Sequence, residues 1–538
     1  MAWRDSVLDS KRAAALLDTL IRFGTAVLFE HIRKRAFRRA TLAHRLRRAL
    51  EHLGLTYVKL GQFLALRFDL LPADVCRELE SLFENVRAEP FERIRSVVES
   101  ELGAPIAVLF AAFGDSPLAS ASIAQVHEAV LADGTRVAVK VQRPGIARLF
   151  AADMRILRRA AAIADSLRLF RAVSLVEAVD QFWIYTSQEL DFVGEGRAAD
   201  RLRANRTSRE VIPRVYWEFT TPRLLTLEFV DGVSIGALIG AYVSGGLPAV
   251  RERLPRIALE QVLHNLAFAS LHQLFVTGFF HGDPHPGNIL VLDDNRVAFV
   301  DFGIYGELTA RDRELLRSFL EYLALGDFER SFHSYSRLFD TTERTDFAAF
   351  KRETMRLMQS WFRLSRDPRN PAEHRLAARF SDEMSLLVRK NYLRMSMETL
   401  LFWRVLVILD ATALRFSAHF DLLRELRSFF QQERIADLAR ALSPASTAER
   451  AALLAGFTTE APGQASRLIS TLFHERQATS GVEVHMRPST RGQGIAGAVV
   501  TVAAAIGIAA LPLPGWSIAA LCLVCVLPAV AVAWRSRH

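Results

Sequence analysis

Residues 281–303 read His281-Gly282-Asp283-Pro284-His285-Pro286-Gly287-Asn288-Ile289-Leu290-Val291-Leu292-Asp293-Asp294-Asn295-Arg296-Val297-Ala298-Phe299-Val300-Asp301-Phe302-Gly303. This stretch decides the fold because it spaces three oxygen-bearing side chains around two apolar runs. Ile289 to Leu292 and Arg296 to Val300 are strand-like, and Asp293-Asp294-Asn295 between them is a turn signal. The second run ends at Asp301, which a hairpin brings back toward Asn288. Phosphoryl transfer needs an acceptor for the proton of the attacking hydroxyl and oxygen ligands for the magnesium that neutralises the phosphates. Asp283 is suited to the first task, and Asn288 and Asp301 to the second.

Working outward, Ile123 to Leu131 and Thr135 to Gln142 are β-rich runs joined around Asp133-Gly134, which predicts a hairpin. Val137, Val139 and Val141 share one face and Lys140 lies on the other. Val137-Ala-Val-Lys140 matches the kinase strand whose lysine pairs with the α- and β-phosphates of ATP. Alone the tetrapeptide is an ordinary strand with an exposed lysine. Lys140, Asp283, Asn288 and Asp301 in this order and spacing are specific as a set. Leu224 to Gly232 reads as a buried strand ending in Asp-Gly, where a kinase hinge offers backbone groups to adenine, with Glu228 and Val230 as the positions concerned. The glycine-rich phosphate loop of protein kinases is missing. In its place stand Ala119, Ser120, Ala121, Ser122 and Ile123, followed by Gln125. A Cβ at these positions favours negative φ and keeps the backbone further from the phosphates. No Ala-Pro-Glu follows Asp301, so a conventional activation segment is not expected. The expected architecture is α+β, a bilobal protein-kinase-like fold.

The 538 residues carry a net charge of +9, and half are hydrophobic. That apolar fraction excludes a disordered or collagen-like chain. Cys76, Cys522 and Cys525 supply neither a disulfide framework nor a zinc cluster. The positive charge is concentrated. His31 to Leu50 holds eight Lys or Arg and no acid, with Leu42, Leu46 and Leu50 at i+4 spacing. It reads equally as a helix for an anionic membrane surface and as a solvated helix face packed on the body by its leucines. Ala13 to Phe29 reads as amphipathic rather than as a secretory signal, being interrupted by Asp18 and Arg22. Ile495 to Trp534 has no charge at all, long enough for two membrane crossings of about 20 residues each. Leu511-Pro512-Leu513-Pro514-Gly515 divides it, and Trp516 and Trp534 bracket its second half. Arg487, Arg491, Arg535 and Arg537 flank it, which by the positive-inside rule puts both ends in the cytoplasm, so a C-terminal transmembrane helical hairpin is expected. The rest of the body is slightly acidic, and no groove-reading motif is present, so nucleic acid is not an expected partner.

Leu55-Thr-Tyr-Val-Lys59-Leu-Gly61-Gln62 resembles the Lys-x-Gly-Gln signature of the UbiB (aarF-domain) atypical kinases. Glu189-Leu-Asp191-Phe192 is similar to that family's Glu-x-Asp motif, and the alanine-rich loop before Gln125-Val-His127 to its nucleotide loop. The resemblance implies an N-terminal helical extension folded over the active site. In it Lys59, Gly61 and Gln62 would act as regulatory residues, with Lys59 pairing to Glu189 or Asp191. It makes Glu195 the helix carboxylate that pairs with Lys140. It also implies Mg2+ and ATP as cofactors, and ATPase or small-molecule-directed kinase activity in support of ubiquinone biosynthesis at the inner membrane. The partners it implies are an isoprenoid lipid or quinone precursor and quinone-biosynthesis enzymes. The expected organisation is basic amphipathic helices over 1–50, the extension over 51–115 and a smaller lobe over 116–232. A helical lobe over 233–476, a linker over 477–494 and the transmembrane pair over 495–534 follow. Two other readings compete: a small-molecule phosphotransferase of the aminoglycoside or choline kinase type, whose catalytic loop is similar, and a pseudokinase scaffold.

Overall fold

Val137, Val139 and Val141 are β-branched and alternate with residues of the opposite face, and each is fully buried on one side of β4 (Arg136–Gln142). β4 pairs antiparallel with β3 (Ala124–Val130) through the expected turn, where Gly134 takes φ 85° and the Asp133 carboxylate accepts the Thr135 N–H at 2.8 Å. The structure is a computed structural model that describes residues 9–19, 22, 39–67, 71–80, 82, 88–167, 174–366, 377–416 and 420–441. Its main sheet runs β1 (Ala112–Phe113), β3, β4, β6 (Leu224–Glu228), with β2 (Ala119–Ser120) pairing on β3.

The helices build outward from this sheet. A first helix, α1, covers residues 9–19, followed by α2 (Arg39–Leu53), α3 (Leu55–Leu66) and α4 (Ala73–Glu80). α5 (Phe91–Leu102) and α6 (Ile106–Leu109) come next. Ile94, Val97 and Val98 on α5 form an i, i+3, i+4 stripe buried with Val137, Val139, Val141 and Leu224 in one apolar cluster. α5, α6 and β1 thus pack with the sheet, on the extension side of the expected boundary at 115. The extension proper is α2 to α4. The basic segment over 31–50 overlaps α2, on which Leu50 is buried.

α7 (Ile146–Ser166) and α8 (Leu175–Glu189) pack through Phe150 and Phe182, whose rings lie 5.7 Å apart, and Phe150 also stacks on Trp183. α1 docks here by a buried ion pair, Arg12 to Asp153 at 2.7 Å, while Arg12 also donates to the Leu53 carbonyl. α9 (Phe192–Ala204) starts at Asp191, whose carboxylate accepts the Gly194 N–H at 3.0 Å.

Beyond the main sheet come β5 (Glu210–Val211), β7 (Val233–Ser234), α10 (Ile235–Ser244), α11 (Leu247–Arg253) and α12 (Leu259–His272). α12 runs into a π-helical turn, Gln273–Thr277, before β8 (Phe279–His281). β9 (Ile289–Val291) and β10 (Val297–Phe299) form the hairpin expected after Asn288, in a second sheet ordered β5, β10, β9, β7. Asn295 takes φ 67° in its turn. β11 (Tyr305–Glu307) pairs with β8. Then follow α13 (Ala310–Leu325), α14 (Phe328–Ser336), β12 (Phe339–Asp340), α15 (Phe347–Arg366), α16 (Ala377–Lys390), β13 (Arg394–Met395), α17 (Met397–Phe416) and α18 (Leu422–Ala441). The chain divides into two compact units. Of the second, residues 424–493, the described part is helical. No helix among the described residues is long and apolar enough to cross a membrane, and the linker over 477–494 and the segment over 495–534 lie outside them.

Candidate active site

Alternation on β4 turns Lys140 away from the valine face, and there its ammonium meets two carboxylates. Lys140 Nζ lies 2.6 Å from Glu195 Oε1 and 2.9 Å from Asp301 Oδ1. Glu195 stands in the first turn of α9, fully buried, and also accepts the Phe302 N–H at 3.2 Å. Asp301 follows β10, its carboxylate accepts the Gly303 N–H at 3.2 Å, and its side chain is 41% exposed. Burial alone would lower the Lys140 ammonium, but Asp301 and Glu195 outweigh it and hold its pKa above the ordinary value. Burial works against the Asp301 charge too, yet Lys140 keeps this carboxyl well below the usual carboxylate range. Glu195 is the member that gives way: burial, with the Asp301 charge added, pushes it up to about 7 despite Lys140.

The catalytic-loop residues are tied to this cluster through His281. The imidazole Nε2 hydrogen-bonds the Asp301 carbonyl, and Nδ1 accepts the Asp283 N–H at 3.2 Å. The acceptor role of Nδ1 puts the proton on Nε2, and burial lowers the His281 pKa, consistent with a neutral ring. Asn288 donates from Nδ2 to the Asp283 carbonyl at 3.3 Å, and the Val300 N–H bonds the Asn288 carbonyl at 3.1 Å. The β9–β10 pairing therefore places Asn288 and Asp301 at the same end of one hairpin.

Lys59 of α3 pairs with Glu189 at the end of α8, both buried. Of the two partners left open by the sequence, the structure selects Glu189, because Asp191 is exposed and spent on capping α9. A Cβ on Gly194 would lie 2.7 Å from Asp191 Oδ2, so that cap needs the glycine. Gly61 serves close packing, since a Cβ there would fall 2.2 Å from Leu82 Cδ1 and 2.9 Å from Leu50 Cδ1. Gln62 donates to the Leu82 carbonyl at 3.3 Å. The two lysine clusters converge on Gly303: a methyl group placed there would lie 3.6 Å from Glu189 Cγ and 3.9 Å from Glu195 Oε2.

The positions expected to meet a nucleotide divide. Ala119 and Ser120 form β2, and Ala121, Ser122 and Ile123 carry the chain back into β3. Gln125 is fully buried: its side-chain amide oxygen Oε1 accepts the Glu89 N–H, and its Nε2 meets His127 Nε2 at 3.3 Å. Glu228 donates its N–H to the Arg214 carbonyl at 2.8 Å, and its carboxylate accepts the Arg214 N–H at 3.1 Å.

The ABC1 atypical kinase-like domain matches residues 81–334. Protein ACTIVITY OF BC1 COMPLEX KINASE 7, chloroplastic, of Arabidopsis thaliana is 38% identical over 53% of this chain and 39% of its own length. A probable protein kinase UbiB of Cellvibrio japonicus is 37% identical over 56% of this chain and 53% of its own. An uncharacterized Synechocystis protein is 33% identical over 60% of this chain and 79% of its own. The chain belongs to the UbiB/ABC1 family of atypical kinase-like proteins. It spans about two fifths of the Arabidopsis relative and about half of the Cellvibrio one.

In this UbiB/ABC1 chain one residue of the site has no motif to announce it. Arg404 on α17 donates to Asp283 Oδ1 at 2.7 Å, and both side chains are about 10% exposed (11% and 10%). Glu80 on α4 is also within electrostatic reach of Arg404; burial raises its pKa and Arg404 opposes that rise. The arginine thus lies between the catalytic loop and the extension. The set as a whole offers two oxygen-bearing side chains at one hairpin end, an ammonium beside them, and a carboxylate held by a guanidinium. This chemistry suits a divalent cation and a phosphate chain.

Proposed function

We propose that this chain binds Mg-ATP between the main sheet and the 281–303 hairpin and acts as an atypical kinase or ATPase. In this reading it supports ubiquinone or another prenyl-lipid pathway and does not phosphorylate proteins in trans. The observation that carries the proposal is the Lys140 ammonium held at once by Glu195 and Asp301 beside the Asp283–Asn288 loop. Bound Mg-ATP supplies the phosphoryl group and its charge neutralisation. The residues do the rest. Asp301 and Asn288 would hold the cation through their oxygens. Lys140, aimed by Glu195, would face the α- and β-phosphates. Asp283 would take the proton of the attacking hydroxyl on Oδ2, since Oδ1 is occupied by Arg404. His281 keeps the backbones of Asp283 and Asp301 in register. By the family resemblance, Lys59, Gln62 and α3 would enter the region where other kinases seat a protein acceptor, which favours water or a small molecule as acceptor. The uncharged segment over 495–534 and the basic α2 support anchoring of the body on the cytoplasmic face of the inner membrane, beside isoprenoid lipid and the enzymes that handle it.

Calorimetric titration of the full-length chain with ATP, with and without Mg2+, tests the site. Asp301→Asn is expected to remove Mg-dependent binding, and Lys140→Ala to remove hydrolysis. If Asp301→Asn binds Mg-ATP as wild type does, the cation assignment fails. Quinone profiling of a deletion strain complemented with wild type or Asp301→Asn tests the pathway, and equal quinone levels with the empty vector and wild type would refute it. Retention of the full chain in the soluble fraction without detergent would refute the anchor.

A further inference from the structure

Arg143, just beyond the lysine strand, is 4% exposed and lies against the Ser/Ala loop. Its Nε donates to the Ala121 carbonyl at 2.9 Å and its NH2 to Ser120 Oγ at 2.8 Å. Its own N–H donates to the Ile123 carbonyl at 2.8 Å. One residue therefore grips three sites along the loop, the Ser120 side chain and the carbonyls of Ala121 and Ile123. NH1 reaches Glu89 Oε1 at 3.3 Å, and the Glu89 N–H is held by Gln125, whose amide meets His127. His127 Nδ1 in turn bonds the Gly114 carbonyl at 2.8 Å, which fixes Nε2 as the acceptor for Gln125. Burial lowers the pKa of both His127 and Arg143, and Glu89 opposes the Arg143 shift. The loop rests on a chain of polar contacts running from the sheet through Glu89 to Arg143.

A trans peptide points its C=O and N–H to opposite sides. With the Ala121 carbonyl drawn to the guanidinium, the Ser122 N–H of the same peptide faces away from it, and that N–H makes no hydrogen bond among the described residues. Glycine-rich loops reach phosphates through φ freedom; this loop has Cβ atoms throughout and reaches its geometry by being held. Ser120 adds a contact that alanine could not make.

We propose that Arg143 is a positioning residue for the phosphate chain of the nucleotide, acting through the loop with Ser120 as its hydroxyl partner and without touching the ligand. The proposal rests on the Mg-ATP reading of the site. It makes Arg143, and not loop glycines, the determinant of how tightly the phosphates are held.

The test is titration of the full-length chain in detergent with Mg-ATP and, separately, with adenosine, which lacks phosphates. Arg143→Gln is expected to weaken Mg-ATP binding by roughly tenfold or more, the scale of a lost charge-assisted hydrogen bond, while adenosine affinity stays within about twofold. Arg143→Lys should recover part of the loss. Ser120→Ala removes one hydroxyl without unpairing a buried charge, so it tests the idea even if Arg143→Gln folds poorly. It should weaken Mg-ATP severalfold, and far less in an Arg143→Gln background. In turnover assays the effect should fall on KM and leave kcat nearly unchanged. Equal losses for Mg-ATP and adenosine, or unchanged Mg-ATP binding in both variants, would overturn the positioning role. A wild-type chain that binds neither ligand would instead sink the Mg-ATP reading itself.

Discussion

Two buried lysines, each 10% exposed, are held by carboxylates on neighbouring helices, and the difference between them separates chemistry from closure. Lys140 faces two carboxylates, Glu195 and Asp301, so its cluster is net negative when all three are charged. One of them, Asp301, opens to solvent while the other is sealed. Such a set can admit a further cation at its open edge. Among the described residues Lys59 faces Glu189 alone, and the pair is neutral. Glu189 Oε1 is buried and makes no hydrogen bond among the described residues. A neutral, sealed pair has nothing to offer a cation. It ties α3 of the extension to α8, and so acts as a fastening.

The contrast can be broken in several ways. The largest effect is expected from Lys59→Met, which strands the Glu189 carboxylate in a dry site. Chemical denaturation should show a loss of about 3 kcal/mol, the usual scale for removing one partner of a buried pair. Lys59→Met/Glu189→Leu should regain most of it, because a sealed neutral pair can be replaced by packing; failure of the double variant to recover would mean that the pair does more than fasten. An effect of comparable size is expected at the other lysine, from pH. Glu195 is pushed up to about 7 from an ordinary 4.5, so between those values the folded chain holds a proton that the unfolded chain releases. Its contribution is therefore full below about 4.5 and is lost as pH rises through 7, with a slope of at most about 1.4 kcal/mol per pH unit. Glu195→Gln should flatten that part of the stability profile, and a slope unchanged in the variant would place the titration elsewhere. The smallest effect is expected from Gly61→Ala. The added methyl meets only the ends of Leu82 and Leu50, which can turn, and alanine gains about 1 kcal/mol of helix propensity against about 1–3 of overpacking. A net loss near 1 kcal/mol by thermal unfolding is expected; a loss of several would mean that α3 packs more rigidly than a neutral fastening requires.

The expectations drawn from the sequence succeed or fall short by kind. The β3–β4 and β9–β10 hairpins were legible because turn residues and period-two alternation lie within a dozen residues of one another. Each hairpin orients its own residues, Lys140 on β4 and Asn288 with Asp301 at one end of β9–β10, but the meeting of Lys140 with Asp301 across 161 residues is a tertiary contact. The burial of Ile94, Val97 and Val98 against the sheet was not legible, because apolar residues at i, i+3 and i+4 do not name the surface they cover. Gln125 looked like a ligand contact by position, but its amide is spent inside the fold.

Local pattern thus determines which atoms could hold a phosphate and a cation, since backbone period and turn chemistry act over short stretches of chain. The choice of Glu189 over Asp191 as the partner of Lys59, across 130 residues, is a different matter, as is the pairing of Arg404 with Asp283 across 121. Buried charges take the partner that folding brings within hydrogen-bond reach, because a charge left alone in the interior is too costly to persist. Which partner that is depends on where helices far apart in the chain come to lie, and only the tertiary structure decides it.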